Sequence, residues 1–130
     1  GLELKPPNGR MRRFRNAEAA FQALKFWNHA LEFQDLTGTK AFQKKQQLNS
    51  VAKADLSYCG CGSNWKAMLA VLKAKFKHGS PLANALLRTG DAFLLEHNAV
   101  AGRDSIWSDN GDGEGKNWLG LQLMLVRERL

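Results

Sequence analysis

Cysteine is scarce in this 130-residue chain: Cys59 and Cys61, one residue apart, are the only two. They are too few for a disulfide scaffold, and no second ligand pair stands at the spacing of a structural zinc site, so a reducing, cytoplasmic setting is expected. Nowhere do about 18 apolar residues follow one another, which excludes a membrane-spanning helix, and no membrane partner is expected. The N-terminal stretch is polar and contains Pro6 and Pro7 without an apolar h-region, so no signal peptide is expected. Repeats and low-complexity tracts are also missing. What is present, 44% hydrophobic and 24% charged residues, is the composition of an ordinary globular chain. Its length suits a single domain spanning residues 1–130 that buries roughly two-thirds of its unfolded surface.

Acidic residues are in short supply, 12 Asp and Glu against 19 Lys and Arg, for a formal charge of +7. Net charge bears on association, not on fold or chemistry. Its distribution says more. Residues 1–15 set five cations against Glu3, residues 40–77 set eight lysines against Asp55, and residues 91–114 set Arg103 against six carboxylates. One acidic stretch sits in a basic body.

Helix signals dominate the chain. Asn16 reads as an N-cap for a helix over Ala17–Phe33. Gly38 ends that unit and Thr39 can cap a second helix to about Ala54. Tyr58-Cys59-Gly60-Cys61-Gly62 reads as a tight, Gly-spaced connector. Ser63 caps a third helix over Asn64–Lys77, which Gly79 stops. Ser80-Pro81 starts a short helix that Gly90 closes. Asn98 to Lys116 is a loop, and Asn117 caps a helix to the C-terminus. Leu2–Leu4, before the Pro6-Pro7-Asn8-Gly9 turn, and Ala92–Glu96 are the candidate strands. The expected fold class is mainly α with little or no β-strand.

At about 100° per residue, Glu18, Gln22, Lys25, His29 and Glu32 share one face of the first helix, with Ala17, Ala20, Leu24 and Leu31 opposite. The stripe reads either as a solvated face laced with i,i+4 pairs or as a cleft wall. In the second case Glu18 and Lys25 together could transfer protons or form a covalent intermediate. On the third helix Lys75 projects onto the apolar side defined by Trp65, Met68, Leu72 and Phe76. It must snorkel, pair, or line a ligand cavity. The segment Arg103 to Gly120 is the densest feature. Its Asp-Asn-Gly-Asp-Gly core is not an EF-hand: from Asp109, positions three and five are glycines and position twelve is Gly120 where a bidentate Glu belongs. It reads as an acidic surface loop, or as one whose backbone and Lys116 approach phosphate while its carboxylates face ribose hydroxyls or water. His29, His78 and His97 share no metal-ligand spacing, and no metal or cofactor is expected.

Three segments resemble the NADAR (YbiA-like) family. Asn16-Ala17-Glu18-Ala19-Ala20-Phe21-Gln22-Ala23-Leu24-Lys25-Phe26 is similar to its glutamate helix. Trp65-Lys66-Ala67-Met68, Lys75-Phe76, Leu86-Leu87-Arg88-Thr89-Gly90-Asp91 and Leu95-Glu96 resemble its middle. Asp104-Ser105-Ile106-Trp107 with Asp109, Asn117, Leu119-Gly120 and Leu123-Met124-Leu125-Val126-Arg127 resemble its closing signature. The resemblance covers about residues 9–130 and implies a mainly α, orthogonal helical domain. It also implies N-glycosidic cleavage, either of phosphoribosylamino-pyrimidine intermediates of riboflavin synthesis or of ADP-ribose attached to guanine. On it, Glu18, Lys25 and Asp109 are the expected catalytic residues, and Gln22, Trp65, Lys75, Asp104, Trp107, Asn117 and Gly120 the expected substrate-binding ones. Two features depart from the family pattern. The Ser-Asn-Phe-type motif on a strand before the glutamate helix is not seen, so that strand is expected to be lacking, and Ser108 stands where a glycine usually follows the tryptophan.

Cleaving a ribosyl C–N bond builds positive charge at the anomeric carbon, which Glu18 or Asp109 would stabilise. Trp65 and Trp107 would stack on base or ribose. Lys25 or Lys75 would hold phosphate, protonate the leaving nitrogen, or trap the opened sugar as a Schiff base. The expected partner is a phosphoribosyl or ADP-ribosyl substrate, carried on ADP-ribosylated DNA or RNA if the basic excess reports nucleic acid. Competing readings are a non-catalytic binder of ADP-ribose or nucleic acid, and a degenerate family member kept as an interaction module.

Overall fold

The structure is a computed structural model describing residues 1–99 and 104–130. Arg103 of the acidic stretch lies outside the described residues. The chain forms two compact units, residues 1–75 and 76–130.

In the first unit, β1 (Leu2–Leu4) pairs antiparallel with β2 (Arg12–Phe14), Leu2 opposite Phe14 and Leu4 opposite Arg12. Period-2 alternation turns Leu2, Leu4 and Phe14 inward and leaves Glu3 and Arg13 outside, joined by a 2.7 Å ion pair. The sequence reading found β1 and missed β2, whose Arg-Arg-Phe carries too few apolar residues to signal a strand without its partner. Gly9 closes the hairpin turn, its N–H donating to Pro6 O. A Cβ there would lie 2.3 Å from Trp27 Nε1, so the close approach of the indole requires glycine.

Asn16 caps α1 (Ala17–Ala23) as expected, its side chain accepting from Ala19 N–H at 2.8 Å. The helix does not run to Phe33. Phe26 leaves helical geometry (φ −142°, ψ 55°), and Trp27–Phe33 follow as a 3₁₀ segment kinked at His29. The physical reason is tertiary: Lys25 C=O accepts from Asp55 N–H at 2.9 Å instead of continuing the helix, while Phe26 and Phe33 are buried. Leu31, expected on the apolar side, is 62% exposed. The second helix, α2 (Gly38–Asn49), starts earlier and ends earlier than expected, because Thr37 and not Thr39 is its cap, accepting from Lys40 N–H. Gly38 is therefore its first residue and not a terminator. α3 (Asn64–Lys75) starts at the Ser63 cap and stops two residues short of Lys77. Its core face is Ala67, Met68, Val71 and Leu72, with Trp65 half-buried. α1 packs on α2 and α3, and α3 on β1.

In the second unit, Ser80 caps the short α4 (Pro81–Leu87), accepting from Ala83 N–H, with Pro81 at the first helical position. α5 (Trp118–Arg129) packs on α4. Ala92–Glu96 is not a strand. Its backbone bonds go to a side chain and a loop: Leu94 O and Glu96 N to the Asn117 amide, Glu96 O to Asp109 N–H. An apolar cavity of about 320 Å³ lies beside it, lined by Phe76, Leu82, Leu86, Leu94, Leu95 and Leu123. No helix among the described residues is long and apolar enough to cross a membrane.

Gly9→Ala is expected to cost about 1–3 kcal/mol, since the indole must move in a packed site, and Asn16→Ala about 1 kcal/mol through loss of the cap. Urea titration followed by circular dichroism measures both.

Candidate active site

Residues of the first unit carry a carboxylate, an amide and an amine side by side. Glu18 and Gln22 are one turn apart on α1, and Gln22 Nε2 donates to Glu18 Oε1 at 2.9 Å. Gln22 is buried, and its own Oε1 has no hydrogen-bond partner among the described residues. The amide is thus held between packing and the carboxylate, which fixes one Glu18 oxygen in place. Glu18 is half-buried, and its side chain borders the start of α2, where a Cβ on Gly38 would stand 3.6 Å from Glu18 Cβ.

Lys25 lies just past the end of α1, half-buried, its ammonium 5.9 Å from the centre of the Phe21 ring. Phe21 in turn stacks on Tyr58 at 5.5 Å. Burial lowers the Lys25 pKa from 10.5 to about 8, and the neighbouring charge of Lys45 on α2 adds to the effect, against a smaller opposing pull from Glu18. Of the five residues in the expected stripe, Glu18, Gln22 and Lys25 stay together. His29 and Glu32 separate from them on the 3₁₀ segment, where Glu32 binds His29 at 2.5 Å and Lys44 at 2.7 Å. Trp65 and Lys75 are both half-buried on α3, at its start and its end.

The connector after α2 is built by Asp55, whose carboxylate accepts from the Ser57 amide and hydroxyl and from Cys59 N–H. Tyr58 and Cys59 take left-handed conformations there (φ 52° and 56°). Both cysteines are free, and burial pushes both thiols up, which disfavours the thiolate form.

The second unit's loop is organised around Asp109. Its carboxylate accepts from His97 Nδ1 at 2.7 Å, Gly111 N–H at 2.9 Å and Asn98 N–H at 3.0 Å. The His97 bond and then the Gly111 amide hold its pKa down at about 2. Asp109 C=O accepts from the Gly113 and Gly115 amides as well. Asp104 plays a similar part, its Oδ1 accepting from Ile106 and Trp107 N–H and so setting the backbone of Trp107. Ser108 is buried; its hydroxyl donates to Asp104 O and accepts from Asn110 N–H, two bonds that a glycine could not make. Trp107 meets Trp118 edge to face at 5.5 Å.

Two loop expectations are corrected. Asn117 does not cap α5 through its side chain: it sits in the left-handed region (φ 52°), and its amide ties down Leu94 and Glu96 instead. Nor do the amides at the start of α5 form a phosphate cradle, because those of Lys116, Asn117, Trp118 and Leu119 donate to the carbonyls of Ser105, Ser108, Ile106 and Trp107. Gly120 is needed for close approach, since a Cβ there would lie 2.2 Å from Leu94 O.

Lys45 and His97 are the interacting residues that the sequence reading did not place. Lys45 stood out only as one of a run of lysines, and His97 carried no spacing signal toward Asp109.

Lys25 is expected to titrate near pH 8, well below the ordinary lysine value of 10.5, in an NMR titration of ¹³C-dimethylated protein. Lys45→Met should move that midpoint up and Glu18→Gln should move it down. Because the unfolded chain keeps this proton to about 10.5, stability should rise with pH between 8 and 10.5 through Lys25. Asp109 shifts stability in the same direction in a more acidic window: its folded pKa is depressed, so its contribution is intact above the ordinary carboxylate range and fades as pH falls toward 2. Asp109→Ala, which removes the oxygen that both amides share, should cost the Asn98 and Gly111 amides their hydrogen-exchange protection.

Comparison with known proteins agrees with this architecture. Riboflavin biosynthesis protein VVA0006 of Vibrio vulnificus (strain YJ016) is 46% identical over 65 residues, 50% of this chain and 17% of that protein. N-glycosidase YbiA of Escherichia coli (strain K12) is 42% identical over 72 residues, 52% of this chain and 43% of that protein. The chain thus spans less than half the length of these curated relatives. The NMR structure of the E. coli protein YbiA superposes with a TM-score of 0.71 at 28% identity, covering 98% of this chain and 71% of that one. The model of the NADAR domain family matches residues 3–130, and the chain belongs to that family.

Proposed function

We propose that this chain is an N-glycosidase that cleaves the C–N bond between a phosphorylated ribose and a base, and that its substrate is ADP-ribose attached to guanine in nucleic acid. The observation that carries the reading is the Glu18–Gln22–Lys25 cluster: a carboxylate with one oxygen fixed by a buried amide, near an amine whose pKa is about 8. The relatives' names, an N-glycosidase and a riboflavin biosynthesis protein, support the reaction class.

Departure of the base leaves positive charge at the anomeric carbon. Glu18 lies opposite that charge and takes a proton from the attacking water, whose oxygen bonds to the carbon. An amine with a pKa near 8 holds both of its forms near neutrality. The ammonium of Lys25 gives a proton to the departing nitrogen; the free amine condenses with the C1 aldehyde of the opened ribose and expels water. Asp109, with its carboxylate oxygens taken up by three N–H donors, is a weak base and acts here by holding the loop at His97, Asn98 and Gly111, while Asp104 sets the backbone of Trp107.

The similarity to VVA0006 favours a second reading, in which the substrate is a free phosphoribosylamino-pyrimidine. Turnover of that compound compared with an ADP-ribosylated guanosine oligonucleotide separates the two. In either case Glu18→Gln is expected to lower kcat by about 10²–10⁴-fold, and full activity in this variant would sink the assignment. Borohydride added during turnover, followed by peptide mass spectrometry, tests the covalent route: an adduct at Lys25 establishes it, and none leaves Lys25 as the proton donor.

A further inference from the structure

The basic excess is confined to one unit. Residues 1–75 hold thirteen Lys and Arg against five Asp and Glu, whereas residues 76–130 hold six against seven. Within the first unit the excess gathers on α2 and the turn after it, where Lys40, Lys44, Lys45 and Lys53 occur with no carboxylate between Leu36 and Ala54. Lys44 is tied to Glu32. Lys40, Lys45 and Lys53 have no ion-pair partner among the described residues. α2 turns Ala41 and Leu48 into the core, yet Phe42 stays 45% exposed with the Lys45 ammonium 4.2 Å from its ring centre. Exposed Gln43, Gln46 and Gln47 complete this outer face.

An exposed aromatic ring among unpaired cations and amides matches a partner that offers closely spaced negative charges and flat faces. We propose that the outer face of α2 is a docking strip for single-stranded nucleic acid, with Lys40, Lys45 and Lys53 meeting phosphodiesters and Phe42 stacking on a base. The strip rests on the reading of a nucleic-acid-borne substrate and adds to it the surface that holds the strand. It adjoins the Glu18 cluster: Gly38, the first residue of α2, stands against the Glu18 side chain, and Lys45 is close enough to Lys25 to act on its charge. An acidic peptide would satisfy the lysines but leave the ring without a flat partner, which makes the polynucleotide the better fit.

The test is fluorescence anisotropy with an unmodified oligothymidylate of about 20 nucleotides, between about 50 and 200 mM salt. Removing two phosphate contacts with Lys40→Glu and Lys53→Glu should reduce the slope of log K against log salt by about 1.4. Phe42→Ala should weaken binding about tenfold with little change in slope. A matched pair on α3, Lys66→Glu with Lys73→Glu, makes the same change in net charge and should leave affinity within about twofold. Thermal melts check folding, with Gln replacing Glu at any position that unfolds. Failure of the wild type to bind, an equal loss in the α3 pair, or equal affinity for polyglutamate with no dependence on Phe42 would each overturn the strip. Turnover of a free phosphoribosyl substrate, read in parallel, should be unchanged in the Lys40/Lys53 and Phe42 variants. A wild type that cleaves this substrate but ignores the oligonucleotide overturns the strip alone. One that binds through α2 and cleaves nothing overturns the glycosidase reading and leaves the strip standing.

Discussion

Backbone N–H and C=O groups removed from water need partners, and outside helices and strands those partners must come from elsewhere. Much of this chain is irregular, and a few short polar side chains meet the demand. Asp55 gathers the amides of the connector after α2, and Asp109 those of the acidic loop. Asn117 fastens the extended segment at Leu94 and Glu96 to the start of α5, whose own leading amides are taken by loop carbonyls. Each side chain replaces a length of sheet or helix that the sequence does not supply.

The same demand sorts the carboxylates by role. Asp55, Asp104 and Asp109 lie in loops, and each gives at least one oxygen to backbone donors. Glu18 lies on α1, where the helix satisfies its own backbone, and its single described bond is to the Gln22 amide. Lys25 owes its character to the opposite circumstance. It stands where the helix stops, its carbonyl drawn off by Asp55 N–H and its amine half-buried near Phe21 and a second cation.

Much of this was legible in the sequence where the determinant is local. Asn16, Ser63 and Ser80 cap their helices through side-chain bonds spanning three residues, and such bonds depend on little beyond those residues. Glu18, Gln22 and Lys25 share a face at helical spacing, so their proximity survived the early end of α1. The readings that failed depend on distant groups. Phe26 breaks the helix because of a bond to a residue thirty positions away, and Asn117 has a better use for its amide than capping. Strand β2 exists only because Leu2 and Leu4 offer it an apolar face to join.

By itself the sequence determined the helix starts at Asn16, Ser63 and Ser80, the mainly α character and the presence of a carboxylate and an amine two turns apart, because caps, periodicity and spacing act over a few residues. The tertiary structure alone decided which acids hold loops, how far the Lys25 amine is discharged, and which lysine stands beside it. Those are effects of burial and of charges brought close in space, and neither acts until the chain has folded.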